Sequence, residues 1–126
     1  MMEIKAVSTV NAPAAIGPYS QAIAAGEFVY LSGQLGVDPA TGNMENGVEA
    51  QAERAISNMK AILAEAGLDI SRVIKTTVFL KDMGDFAAVN AIYAKHFQQP
   101  YPARSCVQVA ELPKGGLVEI EAVCVK

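Results

Sequence analysis

Cysteine is scarce in this chain: of 126 residues only Cys106 and Cys124 carry thiols, and they form neither a CxxC pair nor a disulfide framework. Basic residues are outnumbered, 10 Lys and Arg against 13 Asp and Glu. The resulting net charge of −3 and pI near 5.1 argue against a phosphate-backbone binder, so nucleic acid is not an expected partner. No apolar run approaches the roughly 18 to 20 residues that cross a bilayer, and the opening MMEIKAV lacks the basic and apolar regions of a secretion signal. A reducing cytoplasm is the expected compartment, with no membrane partner. Without HxxxH, CxxC or clustered Asp residues no metal site is expected. The glycines make neither GxGxxG nor a P-loop, so no cofactor is expected either.

What is abundant is apolar surface. Hydrophobic residues are 52% of the chain and charged residues 18%, with mean hydropathy +0.24. This excludes a disordered chain and exceeds what so small a monomer hides, so self-association is expected. The length fits one domain, residues 1–126.

Short β-tolerant runs at 3–8 and 21–34, separated by Asn11, Pro13, Gly17 and Pro18, read as early strands. After Phe28–Leu31 come Ser32, Gly33 and Gln34, where glycine marks a bulge or a close backbone approach. Asp38–Gly42 is turn chemistry. From 47 to 66, Val48, Ala52, Ala55, Ile56, Met59, Ile62, Leu63 and Ala66 recur at helical steps, with Gly67 as the stop. Residues 72–80 are apolar on both faces, as in a central strand covered on both sides. A second helix is expected over 82–97, with Asp82 as N-cap and Phe86, Val89, Tyr93 and Phe97 on one face. Pro100 and Pro102 end it, and strands at 104–110 and 117–125 follow. The order lacks the strict alternation of a doubly wound sheet, so an α+β sandwich is expected.

In the last strand Val118, Ile120, Ala122 and Cys124 share one face and Glu119, Glu121 and Val123 the other. Two helices cover only one side of such a sheet, leaving the carboxylate side to water or to another subunit. Arg104, Cys106 and Gln108 likewise share a face. If the last two strands are neighbours, Arg104 and Glu119 or Glu121 converge, as a structural ion pair or as a ligand site. Arg at the start of a strand suits a carboxylate ligand, because its planar fork takes both oxygens and keeps its charge. His96, at a helix end without a partner in sequence, reads as a last-turn cation and Cys106 as a small buried hydrophobe.

Five segments in register carry a resemblance: NAPAAIGPYSQA at 11–22, LSGQLGVDPATG at 31–42, AGLDISRVIKTTVFLKDMGDFAAVN at 66–90, PARSCVQVAELPKG at 102–115 and VEIEAV at 118–123. The chain resembles the reactive intermediate deaminase family (RidA or YjgF, also catalogued as L-PSP endoribonuclease or translation initiation inhibitor). The resemblance implies a chorismate-mutase-like α+β fold, a mixed sheet of about six strands with two helices on one face. It also implies a homotrimer with clefts between subunits. Such clefts hydrolyse 2-imino or enamine acids to 2-oxo acids and ammonia without a cofactor. Carried onto this sequence, Arg104 would bind the substrate carboxylate and Glu119 would hold the attacking water. Tyr19 and Asn90 would line the cleft, and Ser32 and the backbone of Cys106 would add hydrogen bonds. The stretch from His96 to Tyr101 is short compared with some relatives, which would alter the cleft rim.

Two other readings use the same residues. A non-catalytic trimer could hold a carboxylate metabolite against Arg104, but such a receptor needs no second carboxylate beside its ligand. A ribonuclease or translation inhibitor would need a basic stripe or a paired acid and base for phosphodiester cleavage, and neither is evident.

Overall fold

Alternation in the last strand sets the architecture. In a computed structural model describing residues 2–126, Val118, Ile120, Ala122 and Cys124 are buried, and the residues between them are not. This strand, β6 (Val118–Val125), lies inside a six-stranded sheet with β1 (Ile4–Val7), β2 (Ala22–Ala25), β3 (Phe28–Leu35), β4 (Val73–Leu80) and β5 (Ala103–Gln108). The order is β1-β2-β3-β6-β4-β5, antiparallel except for the β4–β5 pair. Parallel neighbours need a crossover. The helix α2 (Phe86–His96) supplies it, and α1 (Val48–Glu65) connects β3 to β4. The expected α+β class, mixed sheet and two helices are all present.

Helix α1 forms where the apolar stripe was read. Ala52, Ala55, Ile56, Met59, Ile62 and Leu63 are buried against the sheet, and each large side chain among them contributes about 1.5 to 3 kcal/mol by leaving water. Gly67, at φ +77, takes the left-handed conformation that ends the helix at little steric cost. The second helix starts later than expected. Asp82 caps a short 3-10 turn at Met83–Asp85 by accepting from the Gly84 N–H, and α2 begins at Phe86.

Two expectations need correction. Strand β4 does have a neighbour on each side, but in the chain only one of its faces is fully covered: Thr76, Val78 and Leu80 are buried, whereas Lys75, Thr77 and Phe79 on the other face are only partly so. Moreover, β5 and β6 are not neighbours, because β4 lies between them. Their connecting segment does not act as a hairpin, since the crossover through α2 has already set β5 parallel to β4 at the sheet edge. Both helices pack on the face of Ile120 and Val78, while the other face presents Phe28, Tyr30 and Val107 at 40%, 50% and 44% exposure.

Candidate functional site

The register determines which candidate residues meet. Arg104 pairs with the buried Thr76, so its side chain leaves the sheet on the helix side. Glu119 pairs with Phe79 on β4 and Leu35 on β3, one position out of phase with the buried Val118 and Ile120, and leaves on the open side. Within one chain the guanidinium and the carboxyl therefore do not converge. The candidates divide into two groups.

The first group surrounds Arg104. Its Nη1 donates to Asn90 Oδ1 at 2.8 Å. Its guanidinium carbon sits over two rings of α2, 4.8 Å from the Tyr93 centroid and 5.5 Å from that of Phe86. Residues 86, 90 and 93 fall on one helical face, so a single stripe supplies the whole bed. The Tyr93 ring is fixed from behind: it stacks on Phe97 at 4.1 Å, and its hydroxyl lies 2.8 Å from Thr76 Oγ1. Burial pushes the Tyr93 hydroxyl up, against the pull of the Thr76 hydrogen bond and the Arg104 charge, so the ring is a neutral phenol near pH 7. Among the described residues Arg104 has no carboxylate partner. Asn90 occupies one donor, leaving N–H groups free for a ligand. A cavity of about 410 Å³ opens here, lined by Arg104, Asn90, Tyr93, Tyr101 and Pro102. Cys106 follows two residues along the same face, partly buried against the core, its thiol pushed up by burial and drawn back by Arg104.

The second group surrounds Glu119, in a cavity of about 540 Å³ shared with Tyr19, Ser32, Gly33 and Lys114. Strand β3 bulges at Ser32 and Gly33, as the glycine suggested. There the Glu119 carboxyl lies so close that a Cβ on Gly33 would be 2.8 Å from Glu119 Cδ and Oε2. Burial raises the Glu119 carboxyl above the ordinary range, and the neighbouring Glu121 charge pushes the same way. Tyr19 is exposed at the cavity wall, and the Ser32 hydroxyl donates to the Ser20 carbonyl at 2.6 Å.

Sequence reading missed Gln21, which is 4% exposed and holds the wall of this cavity. Its amide donates to the carbonyls of Thr9, Ala12 and Pro13, and accepts from the Thr9 N–H. No local signal marks such a role, because its partners lie eight to twelve residues away. Tyr93 and Phe86 serve the Arg104 bed as well as the helix face on which the sequence places them, and their spacing from Asn90 is the signal for it. His96 does find partners: Nε2 lies 3.0 Å from Glu53 Oε1 and Nδ1 2.8 Å from Lys60 Nζ, joining α2 to α1. Among the described residues no three His, Cys, Asp or Glu side chains gather into a metal-binding group, and no helix is long and apolar enough to cross a membrane.

A guanidinium with free donors on one sheet face and a half-buried carboxyl on the other define a small α+β protein with two separate polar cavities. The family described as Endoribonuclease L-PSP matches residues 9–126. The chain is 53% identical to the 2-iminobutanoate/2-iminopropanoate deaminase of Capra hircus, over 95% of this chain and 88% of that one. RidA from an Antarctic Psychrobacter superposes with a TM-score of 0.95 at 48% identity, over 97% of this chain and 99% of that one. TdcF of E. coli, solved with bound serine, superposes with a TM-score of 0.91 at 47% identity, over 97% and 98%. The chain belongs to this L-PSP family, whose relatives include RidA proteins.

Proposed function

We propose that the protein hydrolyses reactive 2-imino acids and their enamine tautomers to 2-oxo acids and ammonia, in clefts between the copies of a homotrimer. One observation carries this reading: Arg104 and Glu119 each line a cavity, on opposite faces of one sheet, so a site using both draws them from two copies. Association is supported by the exposed Phe28, Tyr30 and Val107 on the uncovered sheet face, which is costly to leave in water. The deaminase name of the goat relative and the serine bound to TdcF support the substrate class, since both point to a small acid with nitrogen on the carbon beside its carboxylate.

In this reading Arg104 takes both carboxylate oxygens while Asn90 holds its other side. Glu119, from the neighbouring copy, accepts a hydrogen bond from water and directs it at the imine carbon. As the C–O bond forms, the C=N π pair moves onto nitrogen, and the water proton passes through Glu119 to that nitrogen. The carbinolamine hydroxyl proton then moves to nitrogen, and as the C=O bond forms the C–N bond breaks with its pair leaving on nitrogen, releasing ammonia and the 2-oxo acid. A carboxyl raised by burial is better matched to such proton movement near neutral pH than an ordinary one. The remaining contribution is orientation. Tyr19 and Ser32 wall the Glu119 side, and the Cys106 backbone, on the edge strand β5, has groups free to hydrogen-bond substrate. Two free cysteines suit a reducing cytoplasm.

The experiment is ammonia release from imines generated in situ by a serine or threonine dehydratase. The protein accelerates it, and Arg104→Ala abolishes the acceleration with the assembled mass unchanged. Full acceleration by Arg104→Ala overturns the site. A non-catalytic carboxylate binder is the rival, since the free guanidinium alone suffices for binding; it would be stabilised by 2-oxo acids yet leave ammonia release at the spontaneous rate.

A further inference from the structure

The geometry points to Tyr93 as a positioning residue: its ring face fixes the plane of the Arg104 guanidinium and so aims the free N–H edge at the substrate carboxylate. This rests on the proposed role of Arg104 as carboxylate binder. The side chain of Arg104 begins on an edge strand and is exposed, so without a restraint its rotatable bonds would scatter the guanidinium over many orientations. Asn90 ties down one nitrogen through a single hydrogen bond, which leaves rotation about that contact free. A flat ring with its centroid 4.8 Å from the guanidinium carbon restrains the remaining freedom, because the cation is attracted to the π face it lies over.

The ring is suited to this task because it cannot move. Tyr93 is buried, stacked on Phe97 at 4.1 Å and bonded through its hydroxyl to Thr76, which is itself fully buried in β4. Thr76 is also the register partner of Arg104. The shelf and the residue resting on it are thus fastened to the same point of the sheet. The second ring, Phe86, is more distant at 5.5 Å and more exposed, so it shields one edge of the guanidinium while Tyr93 sets its plane. Preorganising a bidentate donor reduces the ordering that binding otherwise requires.

The test replaces Tyr93 with phenylalanine and then with phenylalanines carrying one to five ring fluorines, which drain the π face while nearly preserving ring shape. Pyruvate is the probe, with Kd from calorimetry and KM and kcat from dehydratase-coupled ammonia release. Between the phenylalanine and pentafluorophenylalanine forms, pyruvate Kd should weaken stepwise by roughly three- to tenfold. KM should follow Kd, with kcat changing less. A packing role would leave Kd flat across the series, and that result overturns the proposal. Arg104→Ala separates the two levels: if it abolishes pyruvate binding while the fluorine series is flat, only the role of Tyr93 fails. If Arg104→Ala binds pyruvate normally, the carboxylate-binding role fails and this inference with it. Should the fluorinated forms not fold, proton NMR of the unaltered protein decides. Arg104 side-chain resonances shifted upfield by the ring current support the stacking, and shifts at solvent-exposed values overturn it.

Discussion

Gly33 offers a way to move Glu119 without changing its chemistry. A Cβ added there would stand 2.8 Å from Glu119 Cδ and Oε2 and 3.0 Å from Cγ. Ordinary contact begins near 3.4 Å, so in Gly33→Ala the carboxyl must retreat by about 0.6 Å. The backbone at Gly33 lies outside the left-handed region, so alanine fits it and the fold should survive. Displacing an orienting group by about 1 Å costs on the order of a hundredfold in rate. For about 0.6 Å we expect kcat to fall roughly ten- to a hundredfold, equivalent to about 1.4 to 2.7 kcal/mol of transition-state stabilisation. Pyruvate affinity should stay within about twofold, because in the proposed cleft the carboxylate is held by Arg104 of the other copy, on a strand that Gly33 does not belong to. The assay is dehydratase-coupled ammonia release, with calorimetric binding and a thermal melt on the same samples. Unchanged kcat, together with a crystal structure showing the carboxyl displaced, would refute the idea that the position of Glu119 matters. A loss confined to pyruvate affinity would refute the division into two half-sites.

The raised Glu119 carboxyl gives a pH prediction: the acid limb of kcat should lie above the ordinary glutamate range, and Glu121→Gln should move it to lower pH by removing the like charge. The same shift has a sign for stability. A folded-state value above the unfolded one stabilises fully below the unfolded value and is lost as pH rises through the folded one, so Glu119→Gln should raise the melting midpoint at pH 7 while abolishing turnover. Asn58, buried in α1, donates its amide to the carbonyls of Leu35 and Val37; Asn58→Ala should lower stability in urea by about 1 to 3 kcal/mol. Equal stability would show that those carbonyls find water instead. The Cys124 thiol is buried and pushed up to about 12, so a disulfide reagent at pH 8 should modify it only after denaturant is added; rapid labelling of the native protein would contradict its burial.

Much of the fold is legible in local pattern. The stripe from Val48 to Ala66 marks α1, Gly67 its end, and the alternation in residues 118–125 the inward and outward faces of β6, because these depend only on periodicity and backbone freedom. The Ser32–Gly33 bulge is legible for the same reason. Arg104, Glu119, Tyr19 and Asn90 stand out through residue type and family resemblance, whereas the convergence of Arg104 and Glu119 expected from pairing of the last two strands does not occur within one chain.

That placement belongs to tertiary structure. The insertion of β6 between β3 and β4 makes β5 an edge strand, and it sends Arg104 and Glu119 to opposite faces. Pairing partners are chosen by packing across the whole sheet, so a short connection such as 109–117 does not by itself make its flanking strands neighbours. The same holds for Gln21, Thr76 and His96, whose partners are distant in the chain. The amino-acid order determined the helices, the strands and the chemical inventory. Only the folded sheet decided that its guanidinium and its carboxyl face away from each other, because a side chain's face depends on register and register is a property of several strands together.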